Sequence, residues 1–137
     1  MLDHEQTSVL VRAAAFAAPI PNSFRECGHP PPLNHVPHLY YCDAIEGKDV
    51  FGKEIEPGFG IAIDGVIDDK TELLACHASQ REWLRKHHGI DHYLISMRAW
   101  CAHRGEQCGT AFAEVFRQHL GHGYPQENLL GSLLGTL

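Results

Sequence analysis

Residues 59–88 read FGIAIDGVIDDKTELLACHASQREWLRKHH. Phe59, Ile61 and Ile63 alternate with smaller or polar residues over 59–64, the period of a short strand with one buried face. Asp64 or Gly65 then opens a helical segment. Leu73, His77, Gln80 and Leu84 fall at offsets of 4, 3 and 4, so the spacing predicts a single helix over 66–88 with these side chains on one face. His87 and His88 occupy its last turn, where positive charge suits the helix dipole, and Gly89 stops it. A strand running into a long helix places the chain in the α/β class.

Downstream, Asp91 is a cap for a helix over 92–104, with Leu94, Met97 and Cys101 as its apolar stripe and Gly105 as its end. Residues 110–118 suit either a strand (Phe112, Glu114, Phe116) or a helix (Phe112, Val115, Phe116, His119). Gln126–Leu134 reads as a short closing helix after Pro125. Upstream, a helix over 4–17 carries Val9, Leu10, Ala13 and Phe16 as a buried stripe, with Asp3 as cap and Gln6 completing a capping box. Six prolines make 19–37 an irregular loop. His38–Asp43 reads as an aromatic strand, and 46–58 as an exposed hairpin or loop. Two or three strands and four helices make a thin sheet, part of an α/β structure.

With 137 residues, 44% of them hydrophobic and 20% charged, the chain can bury a core without disulfides or metals. Its formal net charge of −6 and lack of a basic run argue against nucleic-acid or anionic-membrane binding. The longest apolar stretch, Ala13–Ile20, is too short to span a bilayer, and no signal peptide is visible at the N-terminus. Five cysteines without a CxxC read as reduced thiols, hence a cytoplasmic protein.

Eleven histidines raise the question of metal binding. The pairs His35/His38, His88/His92 and His119/His122 are each interrupted by proline, glycine or a helix boundary. Cys101 and His103 would point apart on a helix, and no HExxH occurs. Two local patterns remain: Asp3-His4 at a helix start, and Cys76-His77-Ala78-Ser79-Gln80, read as a partly buried helix face on which His77 and Gln80 hydrogen-bond.

Several segments, in order, resemble one family. They are Asp3-His4 with Thr7-Ser8-x-Leu10-Val11-Arg12, then Pro37-His38-Leu39-Tyr40-Tyr41 and Val66-Ile67-Asp68-x-Lys70. Cys76-His77-x-Ser79-Gln80, Arg104-Gly105 and Ala113-Glu114-x-Phe116 follow. Together they resemble the C-terminal half of PIG-L/LmbE-type N-deacetylases, the N-acetylglucosaminyl-phosphatidylinositol deacetylase-like enzymes. The resemblance implies the C-terminal portion of a Rossmann-like deacetylase domain over 1–137, with the proline-rich loop at 19–37. It implies zinc-dependent hydrolysis of an N-acetyl amide on an amino-sugar conjugate. His4 matches a zinc ligand, and Asp3 matches the carboxylate before it. His77, Gln80, Arg104 and Glu114 are substrate contacts or structural residues.

The family's His-Pro-Asp-Asp motif, which supplies two zinc ligands and the general base, has no counterpart: the chain's His-Pro is His29-Pro30, followed by Pro31 and Pro32. The expectation is therefore a piece that is inactive alone, partnered by a missing N-terminal half or by a second copy. The alternative is a non-catalytic oligomerisation or ligand-binding module derived from the same fold.

Overall fold

The computed structural model describes residues 2–23, 28, 31–88 and 92–137. The chain forms two compact units, Met1–Tyr41 with Gln118–Leu129, and Cys42–Arg117 with Leu130–Leu137. Five helices and three strands are present among the described residues: α1 (Leu2–Ala17), β1 (Tyr40–Cys42), β2 (Phe59–Ala62), α2 (Ile67–Ala75), α3 (Ala78–His88), α4 (His92–Cys108), β3 (Ala113–Gln118) and α5 (Leu129–Leu134). The mixed α/β composition is as expected. The sheet order is β1-β3-β2. β2 and β3 run antiparallel, with Phe59 opposite Phe116 and Ile61 opposite Glu114. Residues 110–118, which suited two conformations, thus supply the central strand.

In the second unit, Ile63, Ile67 and Cys101 form the core, with Met97 and Phe112 packed against them. β2 ends before Asp64 because that side chain takes over the next bonds. Its carboxylate accepts the Thr110 hydroxyl and, at 3.0 Å, the Phe112 backbone N–H. The outer edge of β2 is partly covered by the C-terminus, where Leu137 N–H donates to Gly60 O at 3.0 Å. The 46–58 stretch, expected as an exposed hairpin or loop, holds one antiparallel bridge between Lys48 and Glu54, beside a 3₁₀ turn over Ile45–Gly47.

The single helix expected over 66–88 is two helices. Cys76 and His77 donate to Leu73 O and Leu74 O, which tightens the last turn of α2. The α-ladder restarts where Arg81 N–H reaches His77 O at 3.0 Å. Both α2 and α3 pack on α4, so the break serves tertiary packing that no glycine or proline at 75–78 announces. Gly105 does not end its helix either: α4 continues to Cys108. A Cβ at Gly105 would lie 2.5 Å from Ala111 O, so this glycine permits close approach of the following turn. The stop is Gly109, at φ +80°. Gly89, Asp91, Cys27 and the His29-Pro30 pair lie outside the described residues.

In the first unit, α1 begins before Asp3, which occupies the first helical turn instead of capping it. No residue of α1 is buried, so the expected buried stripe is exposed in this chain. It meets Tyr124 of the same unit, whose hydroxyl donates to Arg12 O at 2.8 Å and whose ring lies 5.8 Å from that of Phe16. His119 joins the same cluster: its ring is 4.1 Å from that of Tyr124, and its Nδ1 is 2.9 Å from the Tyr41 hydroxyl. Among the described residues no helix is long and apolar enough to cross a membrane.

Candidate functional site

Charged side chains converge on a cavity of about 250 Å³ in the second unit, bounded by α2, α4, β3 and the segment after β1. Lys70 comes from α2, Trp100, Cys101 and Arg104 from α4, Glu114 from β3, and Asp43 from the segment just after β1. Trp100 and Arg104 are four residues apart on a helix, so their side chains stack. The guanidinium lies 4.7 Å from the indole centroid.

Asp43 holds this pair. Arg104 Nε donates to Oδ2 at 2.7 Å, and a terminal guanidinium nitrogen donates to Oδ1 at 3.0 Å. Trp100 Nε1 donates to Oδ2 at 2.8 Å. The other terminal nitrogen of Arg104 donates to Gln107 Oε1 at 2.7 Å. Arg104 is only 5% exposed, yet its charge is paired bidentately and its donors are largely used. It ties the segment after β1 to α4. A Cβ at Gly47 would meet both Arg104 and Trp100 within 3 Å, which explains a glycine there.

The second pair is Lys70 and Glu114, bonded through Lys70 Nζ and Glu114 Oε1. Lys70 Nζ also lies 3.3 Å from Cys101 Sγ. Burial alone would lower the pKa of Lys70. The hydrogen bond and negative charge of Glu114, joined by Cys101, outweigh it, and the ammonium is held above its ordinary range. The site therefore combines two cations, two carboxylates and a buried thiol around one small space, with charge nearly balanced.

The residues singled out in the sequence are distributed unevenly. Arg104 and Glu114 both line this cavity, each paired with a residue not singled out as a site, Asp43 and Lys70. His77 and Gln80 are exposed, and His77 lies in the break between α2 and α3, so the expected partly buried helix face does not form. Asp3 and His4 are exposed in the first turn of α1, in the first unit. Asp43, Lys70, Trp100 and Cys101 were missed as site residues. The ion pair joining 43 to 104 crosses 61 positions, beyond any local spacing rule.

A catalytic zinc requires about three protein ligands. Among the described residues no group of three His, Cys, Asp or Glu side chains is placed to hold a metal ion. His4 and Asp3 thus do not make a zinc site by themselves. The residues define an α/β chain with a charged, thiol-bearing cavity. No protein-family model matches the chain, and neither the curated proteins nor the solved structures contain a significant match.

Proposed function

We propose that this chain is part of a Rossmann-like PIG-L/LmbE-type N-deacetylase that acts on an amino-sugar conjugate and needs protein surface from outside the chain for activity. The observation that supports this reading is the state of the helix bearing Asp3 and His4. Leu2 and Leu10 are each 68% exposed, Val9, Val11 and Phe16 are exposed beside them, and nothing on the helix is buried. A sixteen-residue helix with so much apolar surface is stabilised by packing rather than by propensity, so it calls for a covering partner. In this reading His4 contributes one ligand to a zinc site whose other ligands lie elsewhere, and Asp3 orients it. The second unit then acts as the substrate-side or structural cap of the enzyme.

The test begins with the coding DNA in frame with Met1, searched for a His-Pro-Asp-Asp run. Expressed with the segment carrying that run, the chain should release acetate from an N-acetylglucosamine conjugate in a zinc-dependent manner. His4→Ala should abolish both zinc retention and acetate release. Activity unchanged by His4→Ala removes His4 as a ligand, and no acetate release from the combined protein refutes the deacetylase reading.

A specific observation favours the second reading, a non-catalytic ligand-binding module. The described residues that line the cavity all belong to the second unit, within Cys42–Arg117. A module of this kind would keep its stability and cavity whether or not a partner covers α1.

A further inference from the structure

Cys101 is only 4% exposed, but it is one of the residues lining the cavity, which offers the route by which a small solute would reach it. Its neighbours there are unusual for a core thiol. Lys70 Nζ lies 3.3 Å away, and Met97 Sδ lies 3.8 Å away on the same helix. The amine is bonded in turn to Glu114, so a nucleophilic sulfur, an amine and a carboxylate stand in a row from α4, α2 and β3. The deacetylase reading assigns no role to Cys101 or to its contact with Lys70. An apolar neighbour would fill the place of Lys70 at lower desolvation cost.

We propose that Cys101 and Lys70 form a reversible, peroxide-dependent sulfur–nitrogen crosslink. In the first step hydrogen peroxide is the oxidant. The Cys101 sulfur attacks one peroxide oxygen, the O–O bond breaks, and Cys101 becomes a sulfenic acid while one water leaves. Sulfur loses two electrons and peroxide gains them. In the second step the Lys70 ammonium gives a proton to the sulfenic oxygen, and the freed amine attacks the sulfur. The N–S bond forms and the S–O bond breaks. The protonated oxygen leaves as water, and the nitrogen, far less basic once bonded to sulfur, passes its second proton to the Glu114 carboxylate. The product is a sulfenamide joining α2 to α4, lighter than the reduced chain by two hydrogen atoms. Two equivalents of a small thiol return the cysteine and the amine and leave as their disulfide.

The geometry favours capture over further oxidation. The nitrogen is already near van der Waals contact with sulfur, and the carboxylate that must accept its proton is already bonded to it. Among the described residues Cys42 is the other thiol lining the cavity, so a Cys42–Cys101 disulfide is the competing product and has the same mass.

The full chain, reduced and freed of reductant, is exposed to hydrogen peroxide with and without dimedone, then digested with trypsin and mapped by mass spectrometry. The expected result is a peptide pair joined through Lys70 and Cys101, loss of tryptic cleavage after Lys70, and reversal by dithiothreitol. Cys42→Ser should leave this product intact. Lys70→Arg keeps the positive charge but lacks the amine, and it should raise dimedone trapping at Cys101 severalfold. Recovery of Cys101 unmodified while exposed Cys42 is oxidised overturns the proposal. So does a Cys42–Cys101 disulfide as the sole linked product, or equal dimedone trapping in wild type and Lys70→Arg. The wild-type map decides the matter even if the Lys70 variant folds poorly. The proposal is independent of the deacetylase reading.

Discussion

Asp43→Ala is the perturbation that most directly tests the architecture of the cavity. The side chains of Arg104 and Asp43 are 6% and 15% exposed, and the carboxylate accepts from Arg104 twice and from Trp100 once. Removing it leaves a buried guanidinium with Gln107 at 2.7 Å and the Trp100 face at 4.7 Å as compensation. Breaking a buried ion pair from one side costs about 3–5 kcal/mol. The two surviving contacts place the expected loss near the lower end, about 3 kcal/mol. Against a total stability of about 5–15 kcal/mol for a domain, that is a large fraction. Urea unfolding at pH 7, followed by Trp fluorescence and circular dichroism, reads the shift in midpoint. A double-mutant cycle with Arg104→Met isolates the pair. The double variant should be more stable than the sum of the single losses implies, because it no longer buries an unpaired cation. A loss below about 1 kcal/mol for Asp43→Ala, or a cycle additive to within about 0.5 kcal/mol, refutes the assignment of Asp43 as the anchor of Arg104.

Gly105→Ala should destabilise the chain by about 1–3 kcal/mol, although alanine is the better helix former, because its Cβ would collide with the Ala111–Phe112 backbone. An unchanged or higher Tm argues that this turn relaxes freely. Asp64 should give a pH-dependent signature. The Thr110 hydroxyl is the largest influence on its carboxyl; burial opposes it, and the backbone N–H of Phe112 adds to it, leaving the pKa below the ordinary 3.8. A depressed folded-state pKa stabilises above pH 3.8 and loses that contribution as pH falls through the folded value. The stability gap between wild type and Thr110→Val should therefore be widest above pH 3.8 and narrow below it, and a gap constant with pH sinks the argument.

Local chemistry made much of the fold legible, and the errors have a common cause. The alternation of Phe59, Ile61 and Ile63 located β2, and the prolines of 19–37 marked a stretch whose described residues lie outside every helix and strand. Where one residue type serves two purposes, the local reading failed. Gly105 resembles a helix stop, but its lack of a Cβ is used for close packing inside α4. Residues 66–88 have an unbroken helical period, yet the chain turns at Cys76–His77 so that two helices pack on α4. Periodicity reports which face could be buried, not whether a neighbour exists to bury it. Leu73, placed on the presumed buried face, is 71% exposed.

The same limit separates the two functional expectations. Arg104 and Glu114 stood out through short motifs, and both line the cavity, but the residues that give them their chemistry are far away in sequence. Asp43 is 61 positions from Arg104, and Lys70 is 44 from Glu114. A motif can record one member of a long-range pair and remain silent about the other, because the pairing is set by how β1, β3, α2 and α4 meet. Asp3 and His4 present the opposite case. Their motif is compact and sits on a helix, but both are exposed, and among the described residues no group of three metal-ligating side chains includes them. A ligand assignment at His4 depends on atoms supplied by another surface, whereas the chemistry of Lys70, Cys101 and Glu114 is assembled within the second unit. The cavity is therefore where substitutions in this chain alone should produce interpretable effects, and α1 is where they should do so only once its apolar face is covered.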